Sequence, residues 1–550
     1  MTGAPAAGLR LFTAGADDDF DALCRTFRWR IPARFNIGTI CDAHPPKRPA
    51  LVCEGADGEA ARYSFGDLAT MVNRFANALA GIGIGAGDRV AVVLPQRVET
   101  AVAHLAVFRL GAITVPLSVL FGPDALSWRL GDSGARVVVC DGAHREVLEE
   151  LKKDLPALER IIDCDEAGEA GFRSMLERGG RHHDPVDTAA DDPALIIYTS
   201  GTTGPPKGAL VAHRCFPGNL TGFELSQNFF PADGDLFWTP ADWAWTGGLV
   251  DALLPSLYYG YPILGLRQGK FDPERAAAAI GRHGVRNAFI PPTALKMMRQ
   301  VPDLRDRHGV RLRSVMSAGE SMGAELYEWG REALGIEINE MWGQSEFNYI
   351  VGNCSAIMQV RPGSMGKAYP GHRVAPIDAA GDEMAAGEIG ELAAHRDDPV
   401  MFLGYWNRSE ATAEKFVGPW WTTGDMGYRD EDGYLWFVGR KDDVISSAGY
   451  RIGPGEIEDC LIGHPAVVQA AVIGSPDPLR GEIVKAFIVL AEGREGTDEL
   501  KRDIQESVKR RLAAYEYPRE IEFLDSLPLT TTGKVRRVEL RERERRLKAH

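Results

Sequence analysis

The sequence predicts an α/β protein in which a large N-terminal domain of mostly parallel, helix-covered sheets precedes a small α+β domain. Three observations support this prediction. The chain has 550 residues, which is more than one hydrophobic core usually accommodates. Short apolar strands alternate with amphipathic helices from about Ser64 onward, and this pattern changes near Gly439. We therefore predict domains at residues 1–439 and 440–550.

The alternation is clearest in the first part of the chain. "FGDLATMVNRFANALAGI" repeats apolar residues at helical spacing, and the apolar run "RVAVVLP" follows it as a buried strand. "VETAVAHLAVFRLGA" and "ARVVVC" repeat the same order. Such βαβ units build parallel sheets whose faces are covered by helices. The run "ALIIYTS" predicts a further strand, and ligands of such sheets bind at the carboxyl ends of strands.

The pattern differs on the two sides of Gly439. Before it, "WWTTGDMGYRDEDGYLWFVG" is rich in aromatic and turn residues and predicts antiparallel hairpins. After it, "EIVKAFIVLA" reads as a strand and "DELKRDIQESVKRRLAAY" as an amphipathic helix. The charged tail "RERERRLKAH" predicts a solvated helix end.

Composition excludes several classes of protein. The net charge of −15 argues against nucleic acid as a partner, because phosphate backbones attract basic surfaces. Eight scattered cysteines without metal-binding spacing indicate reduced thiols in the cytoplasm. We expect no membrane span, because the most apolar run, "LVDALLPSLYYGYPILGL", is interrupted by Asp251, Pro255 and Pro262. The N-terminus has no charged and apolar regions of a secretory signal.

The stretch "YTSGTTGPPKGAL", from Tyr198 to Leu210, has the composition of a phosphate-binding loop. It is not a Walker loop, because Lys207 is followed by Gly208 instead of the magnesium-binding Ser or Thr. Its hydroxyls, its lysine and glycines that turn backbone N–H groups toward an anion suit a triphosphate. On its own, this composition also fits a Gly/Thr/Pro surface turn.

Four further stretches carry candidate functional groups. "MWGQSE" ends in Glu346, a carboxylate suited to Mg²⁺ beside phosphates. "TTGD" places Asp425 after a tight turn, as expected for an acceptor of ribose hydroxyls. "GRKDDVISSAGYRIGPGEIE" is rich in charge and glycine at the predicted domain boundary, and "LTTTGKVRR" places Lys534 on a turn. Taken singly, Glu346 also fits a salt-bridge partner, Asp425 a turn cap and Lys534 a surface lysine.

Together and in this order, the five stretches resemble the adenylate-forming, or AMP-binding, superfamily, which includes acyl-CoA synthetases and luciferases. The resemblance extends over about residues 35–540. It implies a β-barrel-like subdomain in the N-terminal domain and a mobile C-terminal domain that rotates about Asp442. It also implies ATP and Mg²⁺ as cofactors, Glu346 as the metal ligand, and Lys534, Glu346 and Thr202 as catalytic residues.

The resemblance also implies an ATP site. The loop after Thr199 would hold the β- and γ-phosphates, and Asp425 and Arg440 would bind the ribose. The implied ATP-binding residues are Thr199, Ser200, Gly201, Thr202, Thr203, Gly204, Lys207, Gly319, Glu320, Glu340, Met341, Trp342, Gly343, Gln344, Ser345, Asp425, Arg440 and Lys534.

The C-terminal third is most similar to the medium-chain acyl-CoA synthetases. This similarity implies coenzyme A as the acyl acceptor, with arginines at its phosphates, tyrosines on its adenine and Gly449 beside its thin pantetheine arm. The implied CoA-binding residues are Ala448, Gly449, Tyr450, Arg451, Arg480, Tyr515 and Tyr517.

The acyl pocket is predicted at Trp245, with Trp243 as the second candidate, and at Trp342 and Gly343. In the acetate-specific relatives a tryptophan occupies the position of Gly343 and fills the pocket. We therefore expect the missing side chain at Gly343 to open the pocket to short- or medium-chain or small aromatic acids.

These implications predict an ATP-dependent acyl-CoA synthetase whose partners are a carboxylic acid, ATP and CoA and whose oligomeric state is monomer or homodimer. Four alternatives stay open at this point. In the first, the acyl acceptor is a carrier protein, and in the second, the acid is acetate. In the third, the chain binds AMP without catalysis, and in the fourth, it transfers a phosphoryl group and releases ADP. Product analysis separates them.

Overall fold

The computed structural model describes residues 10–12, 19–168, 171–199, 205–267, 269–320, 322–447, 450–477, 480–512, 516–530 and 534–548, with the backbone alone at residues 446, 450, 451 and 456. Within these residues, three β-sheets carry the fold, and helices pack on them.

The first sheet has seven strands in the described part of the chain. Its strands pair in parallel except at one edge, where the last two pairings are antiparallel. In spatial order the strands are Gly404–Tyr405, Lys207–Ala212, Pro193–Thr199, Ile113–Pro116, Arg89–Val93, Val137–Cys140 and Arg160–Asp163.

The second sheet has fourteen strands among the described residues. Its strands pair in parallel from Asn339–Gln344 to Pro49–Glu54, and beyond each of these two strands the pairing becomes antiparallel. In spatial order the strands are Val374–Ile377, Gly390–His395, Trp420–Arg429, Leu435–Arg440, Ser364–Ala368, Asn348–Gly352, Asn339–Gln344, Ser314–Ser317, Asn287–Phe289, Phe237–Trp238, Ile263–Leu266, Pro49–Glu54 and Ala60–Ser64, with Phe416–Val417 paired beside Trp420–Arg429.

The third sheet draws its five described strands from the C-terminal part of the chain. In spatial order they are Tyr450–Ile452, Ile445–Ser447, Gly481–Leu490 and Val467–Asp477, with Glu520–Phe523 paired in parallel to Gly481–Leu490. The sheets therefore change between Arg440 and Ile445, close to the predicted boundary at residues 439 and 440, which stays a prediction.

The described helices cover both large sheets and both faces of the small one. The α-helices are Phe20–Thr26, Phe65–Gly81, Val98–Arg109, Pro123–Ser133, Gly142–Lys152, Phe172–Arg178, Cys215–Ser226, Thr246–Gly248, Leu254–Tyr258, Pro273–His283, Pro292–Met298, Leu304–Arg307, Gly323–Trp329, Ser409–Ala413, Pro454–Ile462, Asp498–Arg511 and Arg537–Lys548. A 3₁₀ turn covers Ile37–Thr39, and π-helical turns cover Leu249–Leu253 and Gly330–Leu334. No described helix has both the length and the apolar character needed to cross a membrane.

Helix Phe65–Gly81 illustrates how the sequence specifies these elements. Ser64 and Asp67 form a capping box in which each side chain accepts a hydrogen bond from the backbone N–H of the other. Leu68, Val72 and Phe75 recur at helical spacing and are buried. The α/β fold class and the helices and strands predicted in this region are confirmed.

The charged tail is less solvated than its composition predicts. In helix Arg537–Lys548, Leu540 and Glu544 are buried. The Glu544 carboxylate accepts a hydrogen bond from Ser475 at 2.8 Å and forms an ion pair with Lys485 at 2.5 Å. The expectation of a solvated helix end is therefore wrong for one face of this helix, because a buried lysine on the sheet requires a counter-charge.

A buried carboxylate also fastens the N-terminal segment to the core. Both oxygens of Glu224 accept backbone N–H groups, from Leu11 at 2.6 Å and from Phe12 at 2.9 Å. The hydroxyl of Tyr259 donates to the same carboxylate at 2.6 Å. Burial raises the pKa of Glu224 to about 7 despite these hydrogen bonds.

Candidate functional site

The phosphate-loop candidate lies at the end of the first sheet, at the turn between strands Pro193–Thr199 and Lys207–Ala212. These strands pair antiparallel with Thr199 opposite Lys207, and the Thr199 hydroxyl donates to the Lys207 carbonyl at 3.4 Å. The side-chain Nζ of Lys207 lies 5.2 Å from the ring centroid of Tyr405. The predicted residues Ser200, Gly201, Thr202, Thr203 and Gly204 lie outside the described residues.

The predicted metal ligand, Glu346, is close to this lysine. It is buried, and its Oε1 accepts a hydrogen bond from the hydroxyl of Tyr405 at 2.6 Å. Burial and then the Glu346 charge raise the pKa of Tyr405 well above its usual value, so this hydroxyl keeps its proton and donates. Lys207 and Glu346 thus meet across one tyrosine.

The Glu346 site fits a magnesium ion that is shared with a triphosphate. Mg²⁺ is usually held by one or two carboxylates together with substrate phosphates. Glu346 supplies one such carboxylate, and its Oε2 accepts no hydrogen bond from the described residues. No group of three or more His, Cys, Asp or Glu side chains suited to a metal occurs among the residues that the structure describes.

The ribose candidate, Asp425, lies at the centre of a buried hydrogen-bond network. Arg440 stands opposite Asp425 in the antiparallel ladder and donates to its Oδ1 at 2.6 Å. The indole of Trp342 and the amide of Gln344 donate to Oδ2 at 3.0 and 3.1 Å. Each carboxylate oxygen has two lone pairs, so Oδ1 can still accept a ribose hydroxyl, whereas Oδ2 already accepts two hydrogen bonds.

The C-terminal lysine reaches this network from the small domain. A Cβ atom added to Gly319 would lie only 3.9 Å from Cε of Lys534. The Lys534 side chain is open to solvent along the cleft, yet the surrounding protein lowers its pKa by desolvation. The charges of Glu320 and Asp425 oppose this effect, and that of Arg440 adds to it. The structure therefore brings Lys534 to the nucleotide candidates.

The two groups of residues adjoin each other. Burial lowers the pKa of Lys415. The negative charges of Glu346 and Asp425 oppose this decrease, and the positive charge of Arg440 adds to it. The charges of the metal candidate and of the ribose candidate thus both act on one lysine. A cleft that offers acceptors for ribose, a carboxylate for Mg²⁺ and several cations suits a nucleoside triphosphate.

The remaining residues predicted to bind ATP have contacts that give less direct support for a nucleotide site. Glu320 accepts a hydrogen bond from Thr293 at 2.7 Å. Glu340 is buried, and burial raises its pKa to about 8, with the charge of Asp459 from the small domain as a minor cause. Met341 is also buried. Ser345 lies between Gln344 and Glu346 and is partly exposed.

The hinge candidate lies where the chain leaves the second sheet. Asp442 is exposed, and its neighbours form a turn in which the N–H groups of Asp443 and Val444 donate to the Arg440 carbonyl. The Lys441 N–H donates to the carbonyl of Gly424 at 2.7 Å. The chain is thus held to the ribose site up to the residue before Asp442.

The CoA candidates are only partly described. Ala448, Gly449 and Tyr515 lie outside the described residues, and only the backbone is described for Tyr450 and Arg451. Ser447 pairs with both Tyr450 and Gly481, which brings the backbone of Ser447 and Tyr450 beside Arg480. Arg480 is exposed, and its N–H donates to Asp477 at 2.8 Å.

Tyr517 lies on a different part of the small domain. Its ring lies 4.5 Å from Nζ of Lys509 and 5.1 Å from the guanidinium of Arg519. Its role in CoA binding stays a prediction.

The acyl-pocket prediction at Gly343 requires a correction. A Cβ atom at Gly343 would lie 1.8 Å from the carbonyl oxygen of Asn348 and 2.3 Å from Cα of Tyr349. The missing side chain therefore does not leave open space for an acyl group. It permits the close approach of two antiparallel strands at a bulge between Trp342 and Gly343.

The tryptophan candidates for the acyl pocket differ in their surroundings. Trp342 is buried and uses its indole N–H on Asp425, so it also belongs to the ribose site. Trp245 is partly exposed and packs edge-to-face on Phe121 with ring centroids 5.6 Å apart. Trp243 is fully buried. Trp245 thus remains the better placed of the two to contact a ligand.

Sequence reasoning missed several residues that the structure adds to the site. Tyr405 and Lys415 gave no signal, because a tyrosine and a lysine are common on any turn-rich segment. Asp251 did give a signal, since it is the one acidic residue in "LVDALLPSLYYGYPILGL". It counted only as an interruption of an apolar run.

Family and structure comparisons agree with this geometry. Residues 40–406 match the family model described as AMP-binding enzyme, and residues 456–534 match that described as AMP-binding enzyme C-terminal domain. The chain is 34% identical over 517 residues to the uncharacterized acyl–CoA ligase YtcI of Bacillus subtilis, covering 92% of this chain and 94% of that protein. It is 34% identical over 548 residues to the mitochondrial acyl-coenzyme A synthetase ACSM3 of Mus musculus, with coverage of 96% and 93%.

A solved structure is similar over nearly the same length. The anthranilate CoA ligase AuaEII, in complex with anthranoyl-AMP, aligns with a TM-score of 0.86 and 29% identity. The alignment covers 94% of this chain and 99% of that one.

Proposed function

Because the chain belongs to the AMP-binding enzyme family, we propose that its cleft adenylates a carboxylic acid and then transfers the acyl group to coenzyme A. The chain is an AMP-forming acid–CoA ligase that uses ATP, Mg²⁺ and CoA. The observation that supports the proposed site best is the placement of Lys534 at Gly319, beside the Asp425 and Arg440 pair. This arrangement suits the first half-reaction.

In the first half-reaction, the substrate carboxylate attacks the α-phosphorus of ATP, and pyrophosphate leaves. Two anions approach each other, so positioned cations and donors must offset their repulsion. We assign Lys534 to the attacking carboxylate and the α-phosphate, and Lys207 with the loop that contains Thr202 to the β- and γ-phosphates. Glu346 would hold Mg²⁺, which neutralises phosphate charge when it is bound.

The nucleotide is oriented by groups that are already rigid. Oδ1 of Asp425 would accept a ribose hydroxyl, and three donors fix the carboxylate before the nucleotide arrives. Preorganisation of this kind reduces the free-energy cost of binding and of reaching the transition state. Tyr405 fixes Glu346 in the same way.

In the second half-reaction, the thiol of CoA attacks the acyl-adenylate and AMP leaves. Lys534 would obstruct this approach, so we propose that the small domain rotates about Asp442 and presents the turn with Ala448, Gly449 and Tyr450. Arg480 would pair with a CoA phosphate from its exposed position beside that turn. Further proposed CoA ligands are Arg451, Tyr515 and Tyr517.

We propose a short- or medium-chain or small aromatic acid as the substrate and the cytoplasm as the compartment. The similarity to an anthranilate CoA ligase supports an aromatic acid. The similarity to an acyl-coenzyme A synthetase of the medium-chain type supports an aliphatic acid. Gly343 no longer argues for a deep pocket, so the chain length has to be measured.

The test is pyrophosphate release from ATP over a panel of carboxylic acids, with and without CoA. We expect release with at least one acid, AMP as the nucleotide product, and an acyl-CoA only when CoA is present. Lys534→Ala should lower the adenylation rate by about a hundredfold or more. Lys153→Ala, on an exposed helix end, is the matched control and should leave the rate unchanged. Formation of ADP, or a Lys534→Ala variant as fast as wild type, would contradict the proposal.

A further inference from the structure

A largely buried polar cluster lies between the segments that carry Trp245 and Gly343. It consists of Asp251, Asn219 and Asn348, which we call the Asp251 cluster. Asp251 is 4% exposed and Asn219 is 1% exposed. Oδ1 of Asp251 accepts hydrogen bonds from Nδ2 of Asn348 at 2.7 Å and from Nδ2 of Asn219 at 3.2 Å.

The hydrogen-bonding capacity of this cluster is only half used. Both amide donors bind the same oxygen of Asp251, and Oδ2 accepts no hydrogen bond from the residues that the structure describes. The side-chain oxygen of Asn219 is buried without a partner in that part of the chain. No lysine, arginine or histidine among the described residues forms an ion pair with Asp251. Two acceptors therefore face no donor.

Such a carboxyl group is costly to retain. An unpaired buried polar group typically costs about 1–3 kcal/mol, and a buried charge costs more. Burial raises the pKa of Asp251 to about 8, and the two amide hydrogen bonds offset this only in part. An apolar residue would serve packing better at this position, where the flanking residues Val250 and Ala252 are buried.

The cluster adjoins the proposed reaction centre through the chain on two sides. Asn348 pairs with Gln344, a donor to Asp425, and its carbonyl is the group that approaches Gly343. Asp251 lies in the π-helical turn Leu249–Leu253, which follows Trp245 after one helical turn. π-Helical turns occur frequently at functional sites.

The backbone at Asn348 is adapted to this contact. Its φ of +55° lies in the left-handed region, which non-glycine residues rarely adopt and asparagine tolerates best. This conformation accompanies the shorter of the two hydrogen bonds to Asp251. The cluster is thus held rigidly from strand Asn348–Gly352 and from helix Cys215–Ser226.

We propose that the Asp251 cluster recognises a hydrogen-bond donor on the acyl part of the substrate, so that the preferred acid carries an amino or hydroxyl group. This inference rests on the proposed acid–CoA ligase function and narrows its substrate class. Oδ2 of Asp251 and the side-chain oxygen of Asn219 accept the donor. A protonated amine forms the stronger contact, because its positive charge lowers the pKa of Asp251 and favours the carboxylate that accepts its hydrogen bond.

The test compares kcat/KM for acids that differ only in the donor. The pairs are benzoate against the three aminobenzoates and the three hydroxybenzoates, and hexanoate against 6-aminohexanoate and 6-hydroxyhexanoate. We expect wild type to prefer at least one donor-bearing acid over its parent by about tenfold or more, because a site built to bind a donor rejects the analogue without it. The amino and hydroxyl series show which donor is recognised.

Two substitutions and one control then assign this preference to the cluster. Asp251→Leu should reverse it, so that the unsubstituted acid becomes the better substrate. Asp251→Asn keeps the volume and should lower the preference for the amine more than that for the hydroxyl. Glu224→Gln changes another buried carboxyl group and should leave the ratio as in wild type. Equal kcat/KM for donor-bearing and parent acids in wild type would overturn the inference.

Failure of the inference is distinguishable from failure of the proposed function. If no acid in the panel supports pyrophosphate release, the proposed function is wrong. If acids react but the ratio is unchanged in Asp251→Leu and Asp251→Asn, the function stands and the Asp251 cluster is not a substrate site. If Asp251→Leu has no cooperative melting transition, the wild-type ratio and Asp251→Asn decide the result.

Discussion

Gly343→Ala tests whether close strand packing, and not an open pocket, explains the glycine. The added Cβ would lie 1.8 Å from the Asn348 carbonyl oxygen, whereas real Cβ atoms essentially never come within 3.0 Å of another heavy atom. The two strands must therefore separate by more than 1 Å at the bulge. Overpacking of this kind typically costs about 1–3 kcal/mol, and a backbone neighbour cannot rotate away. We expect the upper part of that range.

The strain should reach ATP binding, because Trp342 and Gln344 flank Gly343 and both donate to Asp425. Chemical unfolding and the KM for ATP therefore measure two consequences of one change. Gly85→Ala is the matched control, because a Cβ there meets no atom within 4 Å. A Gly343→Ala protein with wild-type stability and wild-type KM for ATP would refute the reasoning. A stable Gly343→Trp protein that gains a preference for acetate would restore the open-pocket explanation.

Four other substitutions probe the two half-reactions and the buried carboxylate Glu224. Lys534→Ala should abolish adenylation but leave thioester formation from pre-made acyl-adenylate intact, and Gly449→Leu should do the reverse. Equal losses in both assays would exclude separate orientations of the small domain for the two half-reactions. Asp442→Pro fixes φ near −65° and should slow one half-reaction far more than the other in single-turnover assays. Burial raises the pKa of Glu224 from 4.5 to about 7, so the folded protein binds this proton more tightly than the unfolded chain does. The free energy of unfolding should therefore fall by on the order of 3 kcal/mol as the pH rises through this window. In urea unfolding at pH 5 and pH 8, Glu224→Gln should lack this decrease in the free energy of unfolding. If the variant keeps the wild-type pH dependence, the decrease does not come from Glu224.

The fold was predictable because its signals are local. Apolar runs such as "RVAVVLP" and helical repeats such as Phe65–Gly81 report burial and period directly, and parallel pairing follows from their alternation. The order of the strands in the fourteen-stranded sheet was not predictable. Neighbours such as Phe237–Trp238 and Asn287–Phe289 are separated by about fifty residues, and no local pattern encodes that pairing.

The candidate site was predictable where a motif carries a chemical group, and unpredictable where the group depends on packing. Asp425 and Lys534 each follow a glycine and resemble known motifs, and in the structure the charge of Asp425 acts on the pKa of Lys534. Gly343 misled the prediction, because a glycine in a sequence does not show on which side a side chain would point. The direction depends on the strand that passes within 2 Å of its Cβ position.

The placement of Asp442 explains how one rotation can move Lys534 while the nucleotide stays bound. Before this residue, Arg440 is tied to Asp425 in the sheet, so the ribose contacts do not depend on the small domain. Directly after it, Asp443 pairs with Arg537 at 3.7 Å, and Arg537 is three residues from Lys534. Lys534 is therefore fastened to the chain just beyond the proposed pivot, whereas the ribose ligands are fastened just before it. If Asp442 is the pivot, as proposed, a change of its backbone angles would withdraw the lysine and leave the adenylate in place for the thiol.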